Sequence, residues 1–202
     1  IFADLNNLKV VTTSSDEYAD SFGFTEDEVF AALEECGLEK DKEEVRKWYD
    51  GFIFGSTRDI YNPWSILNFL DTGKFRTYWA NTSSNGLVSR LIREGNRGIK
   101  EKFELLLKGQ PIWTPIDEQI VYDQLGGSEE AIWSLLLASG YLKALSYQSL
   151  NQLEEGEEQM YQLSLTNYEV GRMFRSMVRG WFAESKSDYN SFLHALLKDD
   201  IE

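Results

Sequence analysis

The sequence predicts a mostly helical α+β protein, and three observations carry that expectation. Two S/T-x-x-E patterns, Thr25 to Glu28 and Thr166 to Glu169, have the form of a capping box, in which hydroxyl and carboxylate satisfy free amides at a helix start. After the second, Val170, Met173, Phe174, Met177, Val178, Trp181 and Phe182 recur at the 3.6-residue period of one buried helix face. Between the helical stretches lie two pairs of short strand patterns, each joined by a turn-rich segment.

Taken in order, the first helix opens at Thr25, carries Val29, Phe30 and Leu33 on its apolar stripe, and ends at Gly37. A second runs through Glu43–Trp48 and stops at the turn dipeptide Asp50-Gly51. Phe52–Phe54 and Asp59–Tyr61 form a small hairpin around G-S-T-R. Asn62 caps the next helix and Pro63 fits its first position, where no amide bond is lost; Trp64, Leu67 and Phe69 or Leu70 are expected to face inward. Ser84 caps a helix to about Arg93 that Gly95 ends, and Ile99–Leu107 forms another before Gly109-Gln110-Pro111. The segment from Pro111 to Leu125 carries one strand-like patch, Gln119–Tyr122, between Pro115 and Gly126-Gly127, and Pro115–Glu118 reads as loop. Ser128 starts a helix that is apolar nearly all round and therefore buried, ended by Gly140. Strands Tyr141–Tyr147 and Gln159–Leu165 flank the acidic loop 154–158, and at Thr166 the last long helix begins, with Leu165 and Val170 placed as a hydrophobic staple. Helix, hairpin, helix is the order of a winged-helix module; generic α+β packing produces the same order.

Composition removes several functions. The sole cysteine, Cys36, permits no internal disulfide and no cysteine-based metal site, and its acidic neighbours Glu34, Glu35 and Glu39 disfavour a thiolate, so it reads as a small buried hydrophobe. His194 is the sole histidine, on a terminal helix between Leu193 and Leu196, which leaves a Ser-His-Asp or Cys-His mechanism nothing else to use. No G-x-x-x-x-G-K-[ST] phosphate loop occurs, and Gly51 and Gly55 read as turn glycines. Pro115-Ile116-Asp117-Glu118 lacks the following E-x-K strand that a PD-(D/E)XK metal centre needs. No apolar run approaches a membrane span, and cysteine usage fits a reducing, cytoplasmic setting. The net charge of −14 disfavours non-specific nucleic-acid binding, but it is uneven. Residues 16–45 carry twelve acids against Lys40 and Lys42, whereas residues 46–108 carry eleven basic groups against six acids.

The densest signal is the stretch 48–85: W-Y-D-G-F-I-F-G, I-Y-N-P-W-S-I-L-N-F-L and Y-W-A-N-T-S-S-N. With W-S-L-L-L-A-S-G-Y-L-K at 133–143, these blocks resemble a bacterial family of AAA-ATPase-like proteins. The signature positions are Trp48, Tyr49, Asp50, Gly51, Tyr61, Asn62, Pro63, Trp79 and Asn81, and the likeness extends from the opening I-F-A-D-L-N-N-L to around Trp181. The resemblance implies a P-loop ATPase core before this chain and a PD-(D/E)XK nuclease-like domain after it. Residues 1–110 would then be a helical, lid-like region with a small hairpin, and residues 111–202 a winged-helix-like region. It implies no catalytic residue, metal or cofactor within the chain itself, with ATP and Mg²⁺ bound only when the upstream core is present. Ile1 in place of Met fits a start inside a longer reading frame, with a processed mature protein as the alternative.

Three candidate contacts follow. The aromatic and Asn-rich block could meet adenine or ribose, or could be a rigid core with Asn62, Asn81 and Asn85 as caps and turn bonds. Arg90, Arg93 and Arg97 recur at i, i+3 and i+7; Arg90 or Arg93 could sense a γ-phosphate as a lid arginine does, or simply pair with surface acids such as Glu94. Arg172, Arg175 and Arg179 share the face opposite the apolar stripe of the last helix and could hold nucleic-acid phosphates. The expected function is that of a non-catalytic relay between a nucleotide-driven core and an effector domain. A nucleic-acid-binding winged helix and a protein-interaction scaffold using the acidic 16–45 face are the alternatives.

Overall fold

A computed structural model describes residues 15–79, 85–117, 128–149, 153 and 157–184. Strand β1 (Phe24–Thr25) leads into α1 (Glu26–Glu35), and Thr25 and Glu28 close the expected capping box: the Thr25 amide donates to the Glu28 carboxylate at 2.8 Å. A 3-10 turn at Glu39–Asp41 precedes α2 (Lys42–Tyr49). The hairpin consists of β2 (Phe52–Phe54) and β3 (Thr57–Tyr61), and β1 adds to the other edge of β3, giving an antiparallel sheet of order β1-β3-β2. Helix α3 (Pro63–Thr72) starts as expected, with the Asn62 side chain accepting from the amides of Trp64 and Ser65.

Helices α4 (Asn85–Glu94) and α5 (Arg97–Leu107) follow, then strand β4 (Ile112–Pro115). Helix α6 (Glu129–Ala138), capped by Ser128, leads to β5 (Leu142–Tyr147) and β6 (Met160–Leu165), and α7 (Tyr168–Glu184) ends the described chain. The second sheet is antiparallel with order β4-β6-β5. The molecule is therefore α+β and mostly helical, as expected.

Among the described residues, the buried side chains form two apolar clusters. One joins α1, α2, β3 and α3 through Val29, Leu33, Val45, Tyr49, Tyr61, Ile66 and Phe69. The other runs from Val88 on α4 to Val178 on α7 and centres on Trp133, Leu136, Leu163 and Phe174. Helices α4 and α5 thus share a core with α6 and α7, so the expected division at residue 110 does not coincide with the division between the clusters.

Five local expectations are corrected. Trp64 and Leu67 are 56% and 54% exposed, and α3 buries Ser65, Ile66 and Phe69 instead. A serine on the core side disguised the buried face, because its hydroxyl is satisfied by a distant carboxylate. The Thr166–Glu169 capping box does not form; Asn167 accepts from the Val170 amide at 3.1 Å, while Thr166 Oγ1 donates to the Gly140 carbonyl at 2.6 Å. Ile112–Pro115 forms a strand where none is expected, and it takes in Pro115 from the segment read as loop; β4 is the sheet edge, where Pro115 forfeits no ladder bond. Cys36 is exposed at the C-terminus of α1. Arg97 belongs to α5, which Asn96 caps through the Ile99 amide at 3.0 Å, and so does not continue the α4 face. The strand patch 119–122, Asn81 and His194 lie outside the described residues.

Candidate functional site

Of the described signature residues, Trp48, Gly51 and Trp79 reach across to the second half of the chain. Tyr49 Oη donates to the Arg76 carbonyl and accepts from the Arg76 amide, both at 3.0 Å, which pins the 73–79 segment against α2. Burial raises the Tyr49 phenol well above its ordinary value, so it remains a neutral donor. Tyr61 Oη donates to Glu26 at 3.1 Å, and Arg46 clamps the same carboxylate through Nε at 2.8 Å and Nη2 at 2.7 Å. This two-pronged arginine grip holds Glu26 below the usual carboxylate range and ties α1 to α2.

Glu169, in the first turn of α7, is fully buried. Its Oε2 accepts from Ser65 Oγ at 2.8 Å and its Oε1 from the Trp79 amide at 2.8 Å. One carboxylate thereby joins α3, the segment after α3 and α7. Trp79 packs on Tyr141 at 5.1 Å and edge-on to Phe52 at 5.8 Å, and Trp48 meets Tyr168 edge-on at 4.9 Å.

Asp50 and Gly51 form the other contact. Gly51 has φ +128°, and a Cβ there would lie 2.0 Å from the Thr166 carbonyl oxygen, so only glycine allows this approach. Beside it, Asp50 Oδ1 is buried with no hydrogen-bond partner among the described residues. Burial, aided by the charge of Asp59, pushes its carboxyl up to about 6, against the pull of the Gly51 amide and Lys143. Burial in turn lowers the Lys143 ammonium.

An open pocket of ≈ 540 Å³ lies on the α2–α3–α7 side of this junction. The rings of Trp48, Trp64, Phe75 and Tyr78 line it. Its remaining lining comes from Asn68, Thr77, Arg76 and Arg172, and none of the eight residues is acidic. The Arg172 guanidinium lies 5.5 Å from the Trp48 ring centre and 5.9 Å from that of Tyr168.

The other candidates separate. Arg90 and Arg93 are exposed on α4. Arg175 is half-buried and donates to the Leu107 carbonyl at 3.2 Å, closing the C-terminus of α5, while Arg179 is exposed. Of the three arginines on α7, one therefore faces the aromatic pocket and one is spent on a helix end. Asn62 is a helix cap, and Asn85 accepts from Tyr141 Oη at 2.8 Å. The block's described asparagines thus serve as caps and tethers. Neither Glu169 nor the pocket was visible in the sequence: a glutamate after T-N-Y has the form of a cap, and the pocket gathers residues from three separated segments.

These features describe a chain whose signature is an internal junction beside an aromatic, cationic pocket. Among the described residues no group of His, Cys, Asp and Glu is placed to hold a metal ion, and no helix is long and apolar enough to cross a membrane. No known family profile matches the chain, and no solved structure matches it. It is similar to an "Uncharacterized protein in vnfD 5'region" of Azotobacter chroococcum mcd 1, 28% identical over 172 residues. The match covers 84% of this chain and 30% of that protein, so the chain spans under a third of its relative's length.

Proposed function

We propose that this chain is a non-catalytic relay region of a cytoplasmic AAA-ATPase-like protein, coupling an ATP- and Mg²⁺-binding core to a nuclease-like effector domain. The observation that carries this reading is the Glu169 junction: a single buried carboxylate locks the signature half to α7, so the two halves move as one lever. A displacement applied to one half is then transmitted to the other rather than absorbed at a hinge, because a close-packed interior is barely compressible and passes strain on. The length of the Azotobacter relative, of which this chain matches 30%, accords with a segment working inside a larger protein. Arg90 and Arg93, exposed on α4, are the candidates for sensing phosphate from a neighbouring core. The test compares the parent protein with its Glu169→Gln variant, measuring ATP turnover and effector activity together. The relay reading expects turnover to persist while its coupling to the effector is lost; unchanged coupling would overturn it.

A second reading, a nucleic-acid-binding winged helix, is favoured by the order α5-β4-α6-β5-β6 with sheet order β4-β6-β5. Its recognition helix would be α6, which opens with Glu129 and Glu130 and buries Ala131, Ile132, Trp133 and Leu136. Such a helix offers a phosphate backbone little beyond repulsion. Duplex binding that falls steeply with salt and with Arg179→Ala would restore this reading.

A further inference from the structure

In a protein with 34 acids and 20 lysines and arginines, an arginine without an acidic partner is conspicuous. Arg76 and Arg172 both line the aromatic pocket, and neither forms an ion pair or side-chain hydrogen bond among the described residues. Arg172 is nevertheless held in place, its guanidinium spread over Trp48 and Tyr168 with its N–H donors unspent. Stacking fixes a guanidinium's plane without using its hydrogen bonds, which leaves the fork free for a doubly charged oxyanion. Trp64, 56% exposed at the pocket, is a large ring for which the core has no use. Arginines call for an anion, the rings call for a planar body, and ≈ 540 Å³ accommodates a base, a sugar and a phosphate together.

We propose that this pocket binds a nucleobase–phosphate unit, the base stacking on Trp64 and the phosphate meeting Arg76 and Arg172. An acidic peptide would satisfy one arginine through a singly charged carboxylate; the pair matches the double charge of a phosphate monoester better. The site is separate from phosphate sensing by Arg90 and Arg93 and does not depend on the relay reading. Two sources share this chemistry: a free nucleotide and the end of a single strand.

The experiment titrates the 202-residue chain with AMP, with ribose 5-phosphate and with a 5′-phosphorylated four-nucleotide single strand, by calorimetry and tryptophan fluorescence. AMP or the strand is expected to bind with Kd below about 1 mM, and ribose 5-phosphate roughly tenfold or more weaker, since stacking one base is worth about that factor. Arg76→Ala and Trp64→Ala, both at exposed side chains, should each weaken binding about tenfold with an unchanged circular dichroism spectrum. Affinity for AMP equal to or above that for the strand assigns the site to free nucleotides; a strand preference of about tenfold assigns it to single-stranded nucleic acid. Binding of neither ligand, equal affinity for ribose 5-phosphate, or indifference to both substitutions would overturn the proposal.

Discussion

Glu169 and Ser65 stand 104 positions apart and meet at 2.8 Å, carboxylate to hydroxyl, both fully buried. The second carboxylate oxygen takes the Trp79 amide, so each oxygen is matched by a donor from the other half of the chain. A buried carboxylate is tolerable only when hydrogen-bonded in this way, and removing it strands donors that water no longer reaches.

Glu169→Ala is therefore expected to cost about 2–4 kcal/mol, read as a fall in the urea midpoint. Ser65→Ala should cost less, about 1 kcal/mol, because the carboxylate retains the Trp79 amide. A double-mutant cycle should show coupling between the two positions; strict additivity would remove the pair from the account of this junction.

Two glycines with positive φ separate backbone strain from steric exclusion. At Gly73, φ +61°, a Cβ meets nothing within 4 Å, whereas at Gly51 it meets the Thr166 carbonyl. Gly73→Ala should cost about 1 kcal/mol. Gly51→Ala should cost more than about 3 kcal/mol, because backbone rather than a flexible side chain blocks the methyl. Comparable melting temperatures for the two variants would contradict the close approach.

Asp50 should leave a signature in the pH dependence of stability. Its folded carboxyl titrates at about 6 against an ordinary 3.8, so between these values the folded state holds more protons than the unfolded. Stability then falls as pH rises through that window and, conversely, this group adds about 1–3 kcal/mol as pH is lowered from neutrality toward 4. Asp50→Asn should raise stability at pH 7.5 and flatten its change between pH 6 and 4. Denaturation curves at several pH values, with and without the substitution, check the sign.

The buried face of α3 can be tested by contrast. Phe69→Ala removes a fully buried ring packed 4.5 Å from Phe75 and should cost about 3–5 kcal/mol. Trp64→Ala, on the exposed face, should change stability by no more than about 0.5 kcal/mol.

Much of the local structure was legible because it rests on neighbours in sequence. The Thr25–Glu28 box, the Asn62-Pro63 start, the Ser128 cap and the hairpin at 52–61 each need only a few adjacent residues. The misreadings of α3, Glu169 and β4 fell where a distant partner intervened, whereas the Asn96 cap that separates Arg97 from α4 is local. Ser65 made α3 look as though Trp64 and Leu67 faced inward, because the glutamate that accepts its hydroxyl proton lies on another helix. Glu169 resembled a cap residue for the same reason, and β4 was hidden by Pro115, which only its edge position excuses.

Sequence alone was enough for the α+β class, the helix starts at Thr25, Asn62 and Ser128 and the weight of the aromatic block, since periodicity, capping and turn chemistry act over a few residues. Tertiary structure decided what that block is for in physical terms: an internal junction closed by Glu169 and Gly51, with an aromatic pocket beside it and two arginines that pair with no acid among the described residues. These groups come together across as many as 124 positions, from Trp48 to Arg172. Nothing local to either residue encodes that meeting; it arises when two separately formed apolar faces are driven out of water against each other.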